Sequence, residues 1–348
     1  MQLGWATSSL PAMACLSGLS YQRAPIPPPT TTPPGRLADG VWRVNEGQVD
    51  RFRPDVVYAH HAAVNGWLAK KLNEATGLPF VVTDHDFGEV ASCRRFPHRY
   101  AIFSEVCERA SMMVTVASRM ERELRDLFPA VATRTVQNGT DPIPAELLSR
   151  ARNDCLSGKI VLFSCGHFYE CKQFPFLVSA FAEVAQRHPR ATLRIAGEGE
   201  TRRQVENAIK ELSLEGRVQV LGRLQHQEVL IELASSDAFV LLSRDEPFAT
   251  VFSEAASAGK PIVLCNDGGF CDVFESERHG IAVPPNDLRA AADALDRILS
   301  SPEERARMGE AARELFETRL RWDHNAAAMV EIFEQAIRGR VVRETARI

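Results

Sequence analysis

The feature that most constrains the fold is a regular alternation of short apolar segments and helical segments, which begins after about residue 49. A helix between successive strands supplies the long crossover that a parallel pair requires, so the pattern predicts parallel sheets with right-handed crossovers. In the first half, the predicted strands are 55–59, 80–83, 112–116 and 135–137, and the predicted helices are 64–75, 103–110 and 120–128, with Ser118 as the N-cap of the last helix.

A second alternating unit follows a proline-containing segment, 142–158, which we interpret as a linker. After Gly280 the chain is predicted to be helical only. The predicted strands of this half are 160–165, 193–196, 218–221, 238–242 and 261–264, and its helices are 174–188, 200–212, 227–235, 251–258, 288–300, 303–318 and 322–338.

A chain of 348 residues is too long for one ordinary core. We therefore predict an α/β fold with two Rossmann-like, doubly wound parallel-sheet lobes that face a cleft. The predicted divisions are a disordered, proline-rich arm (1–40), an N-terminal lobe (41–145), a C-terminal lobe (159–320) and a helix that packs back toward the first lobe (321–348).

Composition indicates a globular protein, with 45% hydrophobic and 25% charged residues. A net charge of −4 gives no reason to expect nucleic acid as a partner. No apolar run approaches the roughly 20 residues that span a bilayer. The eight cysteines contain no C-x-x-C pair and no zinc-type spacing, so we expect free thiols in a reducing cytoplasm and no metal site.

One stretch, Glu246 to Glu254 (E-P-F-A-T-V-F-S-E), places two carboxylates at the end of a predicted buried strand. Open α/β sheets bind ligands at the carboxyl ends of their strands, and a helix that starts there presents free N–H groups. An ordinary strand–loop–helix with two solvated glutamates explains the stretch equally well when it is considered alone.

Other strands of the second lobe end in loops suited to anions. The first ends in Gly166–His167–Phe168–Tyr169–Glu170–Cys171–Lys172, in which Lys172 supplies a point charge. The next ends at Gly197, in a G-x-G turn that permits close approach. A lysine on a surface loop is the ordinary alternative. The convergence of several such loops on one sheet edge is more specific than any single loop.

The ordered motifs identify a family resemblance. They are N-G-T-D (138–141), the lysine loop (166–172), I-A-G-E-G (195–199), E-x7-E (246–254), A-S-A-G-K-P-I-V (256–263) and G-G-x-x-D (268–272). In this order they resemble the retaining nucleotide-sugar glycosyltransferases of the GT-B fold, family 4 type (glycosyl transferases group 1). The resemblance covers about 49–337 and is most specific in the second lobe.

The resemblance implies roles for individual residues. Glu254 would accept hydrogen bonds from the ribose hydroxyls, and Lys172 would neutralise the donor diphosphate. Glu246 would contact the donor sugar and His85 would face it, although a lone histidine is more often structural. The remaining donor-binding residues that the resemblance implies are Gly166, His167, Gly197, Phe248, Ala249 and Thr250. No metal and no cofactor is expected.

Some positions depart from the family pattern. His167 stands where arginine is usual, Gln173 and Ala249 stand where glycine is common, and Asp272 replaces a glutamate. The family also opens with a strand and a glycine-rich loop that 1–40 does not show, so we expect an incomplete first lobe.

The leading hypothesis is a hexosyltransferase-like enzyme that moves a sugar from a nucleotide-sugar donor to a hydroxyl acceptor with retention of configuration. The acceptor would be a glycan, a lipid-linked sugar or a small molecule, and a lipid acceptor would bring the cytoplasmic protein to the inner face of the membrane. One alternative is a catalytically impaired module that binds sugar nucleotides or a protein. Another is a sugar-nucleotide epimerase or phosphorylase of the same fold.

Overall fold

The structure, a computed structural model, describes residues 54–153 and 158–345, with backbone only for 152–153 and 340–345. These residues form two compact units: unit 1 contains 54–136 and 328–345, and unit 2 contains the described part of Gln137–Ala327. The sequence placed the corresponding divisions at 145 and 321. The predicted disordered arm lies outside the described residues.

Unit 1 is built on a four-stranded parallel sheet in the order β1-β2-β3-β4. Every residue of β2 is buried, as expected for a strand that is covered on both faces. Its strands are β1 Val57–His60, β2 Phe80–Asp84, β3 Met112–Thr115 and β4 Thr133–Thr135, and its helices are α1 Trp67–Thr76 (after a π-helical turn, Ala62–Gly66), α2 Phe87–Arg95, α3 Pro97–Arg109 and α4 Ser118–Leu127.

Each face of this sheet has its own core. On one face Phe80, Val82 and Met113 pack with the helices, burying Phe103 and Leu124. On the other face Val81, Val114 and Val136 pack against Met329, Ile332 and Ala336 of the C-terminal helix. The last part of the chain therefore completes the core of unit 1.

Two details of unit 1 differ from the sequence predictions. Two helices, α2 and α3, lie between β2 and β3, where the sequence predicts one. The additional helix, α2, is capped by the Asp86 carboxylate, which accepts from the Gly88 N–H at 2.8 Å. Ser118 is not an N-cap, because it is already the first helical residue of α4 and the extended Ala117 precedes it. Short polar helices give a weak periodic signal, which explains the first error.

Unit 2 is built on a six-stranded parallel sheet in the order β10-β9-β8-β5-β6-β7. Its strands are β5 Ile160–Cys165, β6 Ala191–Ala196, β7 Val218–Gly222, β8 Ala238–Leu241, β9 Ile262–Cys265 and β10 Gly280–Val283. Its helices are α5 Ala145–Asn153, α6 Phe174–Ala185, α7 Arg202–Glu211, α8 His226–Ser235, α9 Thr250–Ser257, α10 Leu288–Ser300, α11 Pro302–Leu315 (followed by a π-helical turn, Phe316–Leu320) and the first turn of α12 Trp322–Thr345, which continues into unit 1.

Two predictions for unit 2 are wrong. The predicted linker contains α5, since Pro144 directly precedes a run of good helix formers. The chain after Gly280 is not only helical, because Gly280–Val283 adds the edge strand β10. Gly280 has φ of 150°, and a Cβ there would lie 1.9 Å from the Ile262 carbonyl oxygen, so only glycine permits this close pairing.

No helix in the described part of the chain is long and apolar enough to cross a membrane.

Candidate functional site

The strand order of unit 2 creates a topological switch point between β5 and β8. The chain runs from β5 to β6 and β7 on one side, and then returns to β8 on the other side of β5. In doubly wound sheets the loops that leave such strands diverge and leave a crevice at their carboxyl ends. The lysine loop follows β5 and the Glu246 loop follows β8, so both predicted loops border this crevice.

Lys172 and Glu246 meet at the switch point. The Lys172 Nζ contacts Glu246 Oε2 in an ion pair between residues 74 apart in the chain. Both side chains are largely shielded, with 16% and 15% of their surfaces exposed. The structure thus brings together the two groups that the resemblance assigned to the diphosphate and the sugar.

Backbone contacts hold the lysine loop in place. Lys172 ends a 3₁₀ turn, Glu170–Lys172, and the Arg244 N–H donates to the Cys171 carbonyl at 2.8 Å, which joins this loop to the loop after β8. Gln173 follows with φ of 51°. The left-handed conformation explains why glycine is common at this position in the family and shows that glutamine is accommodated here.

The Glu246 loop is fixed from the other side by the loop after β9. The Gly269 N–H donates to the Glu246 carbonyl at 2.8 Å. A Cβ on Gly268 would lie 3.1 Å from the same oxygen, so a larger residue would crowd this contact. The G-G dipeptide therefore positions Glu246.

Glu254 lies on α9 and its side chain is 12% exposed. Its Oε1 is 2.8 Å from Nε2 of His226, the first residue of α8. His226 is 70% exposed, and the sequence analysis missed it because nothing local links two residues 28 positions apart. A solvated imidazole can leave a carboxylate at little cost, so Glu254 remains available to a ligand.

Gly166 and Gly197 form the tightest backbone approach of the site. Gly197 has φ of 141°, and a Cβ there would lie 1.9 Å from the Gly166 carbonyl oxygen. The Gly166 N–H in turn donates to the Ala196 carbonyl at 3.1 Å. These glycines hold the ends of β5 and β6 together, a structural role that exists whether or not a ligand binds.

The other predicted donor residues have varied settings. His167 is exposed and its ring stacks on Tyr169 at 5.5 Å. Phe248 is buried against Phe270, so only its backbone is available to a ligand. Ala249 is the N-cap of α9 with φ of −69°, a conformation that needs no glycine, and Thr250 opens the helix at the surface.

His85 lies in unit 1, directly after β2, in a group of three histidines. Its Nε2 is 2.7 Å from Nδ1 of His60, and the ring of His61 is 5.5 Å away. Burial, together with repulsion from His60 and His61, lowers the pKa of His85 to about 4. The imidazole is therefore neutral at pH 7.

The reactivity of the two cysteines near the lysine loop of unit 2 is testable. Cys165 is buried at the end of β5, and burial together with the Glu254 charge raises the pKa of its thiol to about 12, whereas Cys171 is exposed. The thiolate is the reactive form. We expect iodoacetamide at pH 8 to label Cys171 at least about ten times faster than Cys165 in native protein. Peptide mass spectrometry measures the ratio of the two labelling rates, which should fall to about 1 in urea, where both thiols are exposed.

Two protein-family models match the chain. A model of the glycosyl transferases group 1 matches residues 148–315, and a model of Glycosyltransferase Family 4 matches residues 11–143. The chain is 30% identical over 301 residues to the glycogen synthase of Mycobacterium tuberculosis, across 83% of this chain and 70% of that protein. The chain belongs to the glycosyl transferases group 1.

Solved structures agree on the fold of this glycosyltransferase. The sucrose-phosphate synthase of Thermosynechococcus elongatus has a TM-score of 0.77 at 23% identity, covering 87% of this chain and 79% of the other. HepE of Anabaena, in complex with UDP, has a TM-score of 0.73 at 20% identity, covering 86% and 82%. The predicted GT-B fold class and the glycosyltransferase assignment are confirmed.

The first-lobe family match begins at residue 11, within the segment where we predicted no βα unit. That segment lies outside the described residues.

Proposed function

We propose that this glycosyltransferase uses a nucleoside diphosphate sugar and transfers its hexose to a hydroxyl acceptor with retention of configuration. One observation carries the proposal: the Lys172–Glu246 pair sits at the switch point of unit 2, and Glu254 lies on α9, the helix that follows the Glu246 loop. The UDP bound to the structurally similar HepE supports a nucleoside diphosphate as the recognised group.

The ion pair stabilises the two charges before a donor binds. Lys172 and Glu246 neutralise each other when no donor is bound, which avoids two isolated charges in a partly shielded crevice. A diphosphate carries more negative charge than one carboxylate and competes for Lys172. Glu246 is then released to accept hydrogen bonds from sugar hydroxyls, which a charged acceptor binds strongly.

The same groups account for catalysis. Negative charge grows on the diphosphate as the glycosidic bond breaks, and a positioned cation stabilises that charge most in the transition state. Lys172 supplies the cation and the first N–H groups of α9 supply further donors. We infer that these protein groups, rather than a metal, neutralise the leaving group.

The acceptor site and His85 belong to a separate part of the proposal. His85 contacting the transferred sugar stays a prediction carried over from the family. Retention also rests on the family resemblance, and the anomeric proton coupling of the first product tests it by NMR. The acceptor class remains a hydroxyl of a glycan, a lipid-linked sugar or a small molecule.

Nucleotide binding tests the donor site. In isothermal titration calorimetry with UDP, GDP and ADP, we expect the wild type to bind at least one of them. Glu254→Ala should weaken that binding about 10- to 100-fold, because a charged hydrogen-bond acceptor contributes roughly 1.5–3 kcal/mol. Glu211→Ala, on the exposed end of α7, is the matched control and should bind as the wild type does. Equal nucleotide affinity of the two variants would show that Glu254 does not contribute to nucleotide binding.

A further inference from the structure

A cluster of potential metal ligands lies in unit 1, whereas the residues assigned to the diphosphate belong to unit 2. His61, Asp84 and Glu89 each offer a ligand atom, and these atoms all lie within 4.8 Å of one another. The His61 Nδ1 is 3.6 Å from Glu89 Oε2 and 3.9 Å from Asp84 Oδ1. One imidazole and two carboxylates form a mixed nitrogen and oxygen donor set.

Strand pairing and one strained residue build this cluster. His61 follows β1, and its N–H donates to the Thr83 carbonyl at 2.8 Å, which places it beside Asp84 at the end of β2. His61 has φ of 68°, a conformation that is uncommon for residues other than glycine. Strained conformations of this kind concentrate at functional sites.

The third ligand comes from the helix that follows β2. Glu89 lies in the first turn of α2, and its Oε2 accepts from the Ala62 N–H at 3.0 Å. Ala62 begins the π-helical turn after His61, an element that is frequent at functional sites. The carboxylate is therefore held in position by the same segment that presents His61.

Asp84 supplies an independent observation that points to a ligand. Its side chain is fully buried, at 0% exposure, and its Oδ2 accepts no hydrogen bond from an N–H or O–H donor of the described residues, although its carboxyl group contacts that of Glu89. The other oxygen, Oδ1, accepts a long bond of 3.3 Å from the Asp86 N–H. A buried carboxylate oxygen without a partner is costly, and a second carboxylate nearby adds repulsion. A positive charge between them removes both penalties.

The spacing suits a small divalent ion. Bonds of about 2.1 Å from zinc to nitrogen or oxygen place tetrahedral ligands roughly 3.4 Å apart. The separations of 3.6 and 3.9 Å from His61 need a closure of a few tenths of an ångström, and all three ligand atoms lie within 4.8 Å of one another. Three protein ligands leave one position open, and His61 is 47% exposed, so water or a substrate oxygen can reach the ion.

We propose that His61, Asp84 and Glu89 bind one divalent transition-metal ion, zinc or manganese, with an open coordination position. The imidazole ligand favours zinc over magnesium and calcium, which prefer all-oxygen sites, and the two carboxylates also suit manganese. The site adds a Lewis acid beside His85, whose ring is 5.5 Å from that of His61. The sequence analysis predicted no metal, because the three ligands follow no known spacing motif and meet only through the fold.

Calorimetry on the full, untagged chain tests the proposal. After dialysis against EDTA and then buffer, the protein is titrated with Zn²⁺, Mn²⁺ and Mg²⁺ in separate runs. We expect one equivalent of Zn²⁺ or Mn²⁺ to bind and Mg²⁺ to bind at least about tenfold more weakly. The electron paramagnetic resonance signal of Mn²⁺ provides a second readout that does not depend on activity.

Isosteric variants assign the ligands. Asp84→Asn and Glu89→Gln keep the side-chain shapes and should each weaken binding by more than about tenfold. His61→Ala should do the same, whereas His98→Ala, an exposed histidine of the same unit, and Glu108→Gln should not. Far-UV circular dichroism checks that each variant is folded.

Two results would overturn the proposal. One is the absence of a stoichiometric site for Zn²⁺ or Mn²⁺, in which case Asp84 and Glu89 share a proton instead. The other is binding that survives all three ligand substitutions. Neither result bears on the diphosphate site, because Lys172, Glu246 and Glu254 belong to unit 2, so nucleotide binding would remain an independent measurement.

Discussion

Gly197→Ala is expected to destabilise unit 2 strongly. The added Cβ would lie 1.9 Å from the Gly166 carbonyl oxygen, so the backbone at the ends of β5 and β6 must move apart. The φ of 141° is also a conformation that alanine rarely adopts. Strain and steric overlap together should cost at least about 4 kcal/mol, a large fraction of the stability of a typical domain.

A second glycine serves as the control for Gly197→Ala. Gly216 also has a positive φ, 80°, but a Cβ there would meet nothing within 4 Å. Gly216→Ala should therefore lower the free energy of unfolding by only about 1–2 kcal/mol, because alanine adopts a positive φ unfavourably. Urea unfolding followed by circular dichroism measures both variants. Similar midpoints for the two would show that the approach of Gly197 to Gly166 does not limit stability.

Lys172→Ala is expected to reduce turnover of the nucleotide-sugar donor by at least about a hundredfold. Removing one positioned group that stabilises charge in a transition state typically costs that much or more. The loss should appear mainly in kcat, because the diphosphate is more negative in the transition state than in the bound donor. The assay measures release of nucleoside diphosphate by mass spectrometry.

Two further variants separate this loss from a loss of stability. Lys172→Ala leaves Glu246 shielded and without its partner, which destabilises the fold. The double variant Lys172→Met/Glu246→Gln removes both charges and should recover stability but not turnover. Lys210→Ala, an exposed lysine on α7, should keep both. Full turnover in the double variant would exclude Lys172 from catalysis.

Most strands of unit 2 were predictable because, apart from the edge strand β7, they are largely buried on both faces. Such strands appear as uninterrupted apolar runs, and β5 is found at the predicted residues, Ile160–Cys165. The edge strand β10 was missed because G-I-A-V is short and carries no alternation. The prolines before α5 obscured a helix, since proline both ends linkers and begins helices.

Contacts between distant segments were not predictable in the same way. Sheet order places β5 beside β8, and only this order shows that the lysine loop and the Glu246 loop adjoin the same crevice. The His226–Glu254 contact joins residues on successive helices, and a solvent-exposed histidine gives no pattern. The cluster of His61, Asp84 and Glu89 depends on the positive φ of His61, which cannot be predicted from the residue type.

The central claim is that the crevice of unit 2 activates a nucleotide-sugar donor, and the wild-type arm of the release assay tests it most directly. The chain is incubated with UDP-, GDP- and ADP-hexoses, and the freed nucleoside diphosphate is measured by mass spectrometry. We predict release from one of them above the no-enzyme rate even without an added acceptor, since water can replace the acceptor hydroxyl. An acceptor hydroxyl should raise the rate further. No release from any donor, by folded protein, with or without glycan and lipid acceptors, would contradict the account.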